Sequence, residues 1–239
     1  MKRLAIIFAI LLLSSAAQAE YIETPAYPAG QAQINESGSF IHSKDDAYAN
    51  SLEFSYGFNN WLAGVVALNS AGGENLNYNY YSGADITAQI DLLKETDNLP
   101  GTAIRFTYSL LEGSQNADTA SVMGVFEKKY GLFDNFLNIA VGKTIGDNAI
   151  GGAEFGVAAQ SMYGLNDYTN NDEWAFGAEY FGDYGKTGSL QGFAQKGQQL
   201  GPIIGFQPFG NLDTSLNYLF GLTHDAPRST VTFEINLTF

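Results

Sequence analysis

Cysteine is missing from this 239-residue chain, histidine occurs twice, and Lys and Arg together number 11 against 25 acidic residues. Each shortage excludes something. Without Cys there is no disulfide frame and no thiolate metal site, and two His residues provide no metal-ligand spacing, so no metal or other cofactor is implied. A formal charge of −14 makes nucleic acid an improbable partner, because phosphate backbones recruit Lys and Arg. Gly72-Gly73 and Gly151-Gly152 lack the strand-then-helix context of a phosphate loop and read as loops. Long apolar runs are also absent, with one exception. Leu4 to Leu13 is uncharged, yet it is about half the ~20 residues that a spanning helix needs.

That run has its own explanation. Lys2 and Arg3 precede it, and Ser14-Ser15-Ala16-Ala17-Gln18-Ala19 follows with an Ala-x-Ala site before Glu20. This is the layout of a secretory signal peptide, so residues 1–19 are expected to be cleaved. Loss of Lys2 and Arg3 leaves nine basic residues against 25 acidic ones, a net charge of −16.

What the chain has in quantity is Gly (27), Phe (17) and Tyr (14), with 15% charged residues. Its apolar residues recur with period two. Val231, Phe233, Ile235, Leu237 and Phe239 alternate with Thr230, Thr232, Glu234, Asn236 and Thr238, which in a strand gives one apolar and one polar face. Leu52–Phe58, Ile86–Leu92, Ile104–Leu110 and Trp174–Tyr180 repeat the pattern, and weaker versions lie at about 31–43, 61–71, 120–130, 136–146, 152–163, 199–207 and 213–223. The expectation is an all-β, transmembrane, antiparallel up-and-down barrel of about twelve strands over residues 31–239, each near the length a tilted strand needs to cross a bilayer. Polar faces rich in Thr, Ser, Asn, Gln and Gly suit a confined hydrated lumen better than an open soluble surface.

Short links are expected after Phe58 and Gln207 and from Tyr130 through Asn135, with longer loops at Ser70–Ser82, Gly113–Thr119 and Asp183–Gln199. An even strand number puts these longer loops on the extracellular side. Tyr56-Gly57-Phe58-Asn59-Asn60-Trp61 is echoed around Tyr130-Gly131 and at Tyr163-Gly164-Leu165-Asn166-Asp167, a hairpin-level repeat whose aromatics suit headgroup depth. Residues 20–30, with Pro25 and Pro28, read as a periplasmic leader or an inward-lying plug rather than a strand.

A terminal Phe239 on an apolar alternating strand resembles the C-terminal signal that the barrel-assembly machinery reads. The stretch Leu52-Glu53-Phe54-Ser55-Tyr56-Gly57-Phe58 before Trp61, then Gly177-Ala178-Glu179-Tyr180-Phe181-Gly182, Leu200-Gly201-Pro202 and Phe220-Gly221-Leu222-Thr223, resembles a family of outer-membrane barrels known as MetA-pathway-of-phenol-degradation transporters. The resemblance implies a Gram-negative outer-membrane barrel embedded among phospholipid and lipopolysaccharide. It carries over neither a catalytic residue nor a solute.

For chemistry, strand parity turns Asp85, Asp91, Arg105, Glu154, Glu179 and Glu234 inward. Arg105 among carboxylates makes a candidate constriction for small solutes. The same charges could instead pair and fill the barrel, giving a structural or adhesive protein whose outer loops are the functional surface. His42, near Asp45-Asp46, and His224, beside Asp225, fall at the extracellular rim. They are the candidates for an enzyme there, although adjacency in sequence does not establish an oriented base.

Overall fold

The computed structural model describes residues 22–25, 27–44, 46–73, 80–112, 117–146, 149, 151–165, 174–187 and 197–239. The leader 1–19 and Asn166-Asp167 lie outside the described residues. The strands are β1 (Ala32–His42), β2 (Ala47–Asn59), β3 (Leu62–Gly73), β4 (Tyr80–Leu93), β5 (Gly101–Leu111), β6 (Asp118–Tyr130), β7 (Phe133–Ile145), β8 (Glu154–Gly164), β9 (Trp174–Lys186), β10 (Gln198–Phe209), β11 (Leu212–Gly221) and β12 (Ser229–Thr238). Each pairs antiparallel with its chain neighbours, and β1 pairs with β12, so the expected barrel of twelve strands closes without a free edge. Closure matters because an unpaired backbone group in hydrocarbon costs several kcal/mol.

The closing seam runs from Gln33↔Thr238 to His42↔Ser229. At its lower end Phe239 N–H donates to Ala32 O at 2.8 Å, fastening the last residue to the first strand. Alternation decides what faces lipid. Phe54, Ile86, Phe106, Leu216 and Phe220 all point outward and are exposed. Aromatic pairs mark the two rims of this apolar belt. Tyr56–Phe58, Phe133–Tyr163 and Trp174–Phe206 sit at the end with the tight turns, and Phe40–Tyr48 and Phe155–Tyr184 sit at the other.

Several connections differ from expectation because the strands extend past the belt. The outer loops shrink to 74–79, 112–117 and 187–197, since β3 continues to Gly73, β6 starts at Asp118 and β9 continues to Lys186. The β6–β7 link is only Gly131-Leu132, with Asn135 already in β7. Gly131 has φ +60°, a conformation that favours glycine. At the β2–β3 turn, Asn59 Oδ1 accepts from Trp61 N–H (2.9 Å) and Leu62 N–H (3.0 Å). The turn end is not uniformly tight, because it also carries the connections 94–100 and 165–173.

Candidate functional site: the barrel lumen

The strands deliver to the lumen a set of polar side chains, and among the described residues the buried apolar ones form separate small clusters. Buried inward residues include Ser37, Ser39, Ser55, Thr87, Gln89, Arg105, Asn138, Glu179, Asn217, Thr230 and Thr232. Many are partnered across strands. Thr87 and Thr107 hydroxyls meet at 2.8 Å, Gln199 Nε2 donates to Thr230 at 2.8 Å, and Asn217 donates to Glu179. Asn35 donates to Glu234 at 2.5 Å across the closing seam, between strands almost the whole chain apart in sequence. Asn69 donates to Asp85 at 2.9 Å.

The segment before β1 occupies this lumen. Gly30 N–H donates to Gly57 O at 2.7 Å, which starts it from the turn end. Tyr27 is buried against Ala63 and Val65 of β3, with its hydroxyl bonded to Glu53 and its backbone N–H to Asp91. Thr24 O accepts from Gln89 Nε2 at 3.3 Å. The Glu23 carboxylate pairs with the buried Arg105 guanidinium, whose other arm lies 3.9 Å from Glu53. Glu23 N–H donates to Asn138 Oδ1 at 2.7 Å. Ile22 then packs on Ala158, Phe181 and Leu219 of β8, β9 and β11. Residues 22–30 therefore cross the bore from the β3–β5 wall to the β8–β11 wall.

Below this strap a cavity of about 760 Å³ remains, reaching from Ile22 and Thr24 to the turn-end residues Gly131, Leu132 and Trp174. Among the described residues its walls carry Glu127, Asp134, Glu179, Asp213 and Glu234 against one cation, Lys129, which lies 3.2 Å from Glu127 and 3.3 Å from Asp134. The net field in it is that of carboxylates.

The residues singled out from sequence are distributed as follows. Asp91 and Arg105 meet through the strap, Glu179 and Glu234 line the cavity, and Asp85 lies higher on β4 against Asn69. Glu154 stands at the loop end, 3.6 Å from Lys186. His42 Nδ1 lies 2.8 Å from Asp46 Oδ1, and His224 Nδ1 lies 3.1 Å from Asp225 Oδ1. Both imidazoles are solvent-exposed, each with its own local carboxylate. The His42–Asp46 contact, with the Ser43 N–H bond, holds the Asp46 carboxyl below its ordinary range. Among the described residues no cluster of His, Asp and Glu could hold a metal. Glu23, Tyr27, Glu53 and Asn138 were not singled out by pattern. Glu53 has the same inward parity as the rest, and that parity was the available signal.

A closed antiparallel barrel with an apolar, aromatic-rimmed exterior and a polar lumen defines an outer-membrane β-barrel. No protein-family model and no curated protein matches the chain. Solved structures do. The COG4313 outer membrane channel from Pseudomonas putida F1 aligns with TM-score 0.63 and 9% identity over 90% of this chain and 97% of that one. The KdgM porin aligns at TM-score 0.56 and 11% identity over 87% and 99%, and the NanC porin at 0.53 and 10% over 86% and 98%. At such identity these likenesses establish the fold.

Proposed function

We propose that this protein is a passive channel for small solutes in the outer membrane, strapped shut in the present state by its own residues 20–30. The carrying observation is the lumen. Ile22, Glu23, Thr24 and Tyr27 contact opposite walls of the bore, and a cavity of about 760 Å³ whose charged lining is mostly carboxylate lies directly beneath them. A barrel built as a solid plug would fill that space with packed side chains. Arg105 is the gatepost, because it holds Glu23 and stands beside Glu53 where the strap crosses. The acidic lumen favours cations and neutral solutes over anions. The channels and porins that share the fold support the channel reading. Phe239 would present the assembly signal, and the belt would sit against phospholipid and lipopolysaccharide.

A second reading, a non-conducting barrel, is favoured by the number of bonds on the strap. For an enzyme at the extracellular rim, the described residues show His42 and His224 exposed, each beside a local carboxylate rather than in a shared site. Liposome swelling separates the first two readings. Vesicles holding the mature protein should admit small neutral solutes faster than protein-free vesicles, and removal of residues 20–30 should accelerate entry. Equal swelling in all three would leave the non-conducting barrel.

A further inference from the structure

The cavity beneath the strap holds hydrogen-bond acceptors in excess of donors. Asn217, inward on β11 and 5% exposed, lines it. Its Nδ2 donates to Glu179, whereas its Oδ1 has no partner among the described residues. Asn236 Oδ1 and Asp134 Oδ1, on the same lining, are also without a donor. No buried side-chain donor of the described lining is left over in this way. A buried acceptor without a donor is unfavourable, so an occupant that donates fits this space better than one that accepts.

The charges point the same way. Asp213 pairs in register with Asn236, and Ser215 with Glu234. Asp213 and Glu234 are therefore diagonal neighbours on adjacent strands, about 7–8 Å apart. Asp213 is open to solvent at the cavity mouth, Glu234 lies one inward step deeper, and Asn217 lies one step beyond. Both carboxylates are oriented by neutral amides, Asp213 by Gln207 and Glu234 by Asn35. An amide fixes the direction of a carboxylate and leaves its charge in place. On the opposite wall Lys129 shows what this lining accepts, an ammonium between Glu127 and Asp134. The carboxylates are staggered rather than convergent, and among the described residues no cluster could hold a metal ion. Phe136 of β7, Met162 of β8 and Ile203 of β10 give the same cavity an apolar side.

We infer that this cavity binds a linear alkyl diamine, with one ammonium at Asp213 and Asn236 and the other at Glu234 and Asn217. An ammonium brings three donors and no acceptor, which matches both the carboxylates and the unmet amide oxygens. A chain of four methylenes sets its nitrogens about 6 Å apart at roughly 1.5 Å per bond, within reach of the two carboxylates. Its methylenes lie against the apolar side and leave water. A metal ion has no apolar part to use that side, and an anion would meet the carboxylates. The cavity extends to Gly131 and Phe133, both exposed at the turn end, so the ligand enters from there with the strap in place. That such a diamine is a solute of the channel rests on the reading above, whereas its binding does not.

Calorimetric titration of the refolded mature protein in detergent with 1,4-diaminobutane tests this. Low salt and about pH 8 keep ordinary carboxyl groups ionised and amines protonated. Saturable binding is expected, and butylamine, with one ammonium fewer, should bind about tenfold or more weakly. Asp213→Asn and Glu234→Gln should each weaken the diamine by about tenfold. Asp97→Asn removes the same charge from an exposed residue outside the cavity and should leave the affinity unchanged. Heat-modifiability reports whether each variant folds, and the comparison of the two amines needs no variant. Absence of saturable binding, equal affinity for the two amines, or equal losses in Asp97→Asn and Asp213→Asn overturns the inference. The titration needs no conduction. A barrel that binds the diamine and passes no current therefore retains the site and loses the channel reading, and a conducting barrel that binds none loses the site alone.

Discussion

Glu23→Gln is the substitution that most sharply probes the strap. It removes one charge from the Glu23–Arg105 pair and retains size. Breaking a buried ion pair by removing one partner costs about 3–5 kcal/mol. Here Glu53 remains 3.9 Å from the guanidinium and Glu23 is 21% exposed, so both the residual partner and water reduce the loss. We take about half, roughly 2 kcal/mol, or about a 30-fold shift in the docked-to-undocked ratio. The assay uses Ile22→Cys, the only thiol then in the chain, and a hydrophilic maleimide. Ile22 is half-buried against Phe181 and Leu219, so departure of the strap from its socket raises the labelling rate. The Glu23→Gln variant should label about 30 times faster than the same Cys protein with Glu23 intact. Exchanging the charges, Glu23→Arg with Arg105→Glu, should return part of the protection. Equal labelling rates in all three proteins would refute the ion pair as the latch.

Two further outcomes follow from the geometry. Asn35→Ala leaves Glu234 without its seam partner and should destabilise the barrel by about 1–3 kcal/mol, measured as a lower urea midpoint for loss of heat-modifiability. The connection 94–100 carries a pH-dependent contact. Glu95 accepts from Lys129 N–H at 2.7 Å and lies 3.2 Å from Lys128 Nζ, and these bonds hold its carboxyl below the ordinary range. A depressed carboxyl contributes stability that is fully present above the ordinary value of about 4.3 and is lost as pH falls through the folded value. Hydrogen exchange at the Lys129 amide, corrected for intrinsic rate, should therefore rise below that pH in the parent protein and be pH-insensitive in Glu95→Gln.

Much of the fold was legible because a lipid-facing strand must alternate. Where one face meets hydrocarbon and the other a polar lumen, as on β12, four apolar residues in step, continued by Phe239, could hardly mean anything else. The weaker strands were weak for reasons visible afterwards. Ala158 and Leu219 are inward apolar residues that cover Ile22, so β8 and β11 lose contrast between their faces. β1 is blurred by outward Glu36 and Gly38. Parity placed Arg105 and the carboxylates on the inner face but could not say which of them meet. That depends on barrel closure and on a strap whose backbone has no period to read. The pairing of Glu23 with Arg105 spans 82 positions of sequence, and nothing local to either residue announces it.

The central claim is that the lumen conducts once the strap yields, and planar-bilayer recording of the refolded mature protein tests it directly. The account predicts small, cation-preferring steps that become larger and more frequent in Arg105→Ala and in protein lacking residues 20–30. A folded, heat-modifiable barrel that passes no current even without residues 20–30 would contradict it.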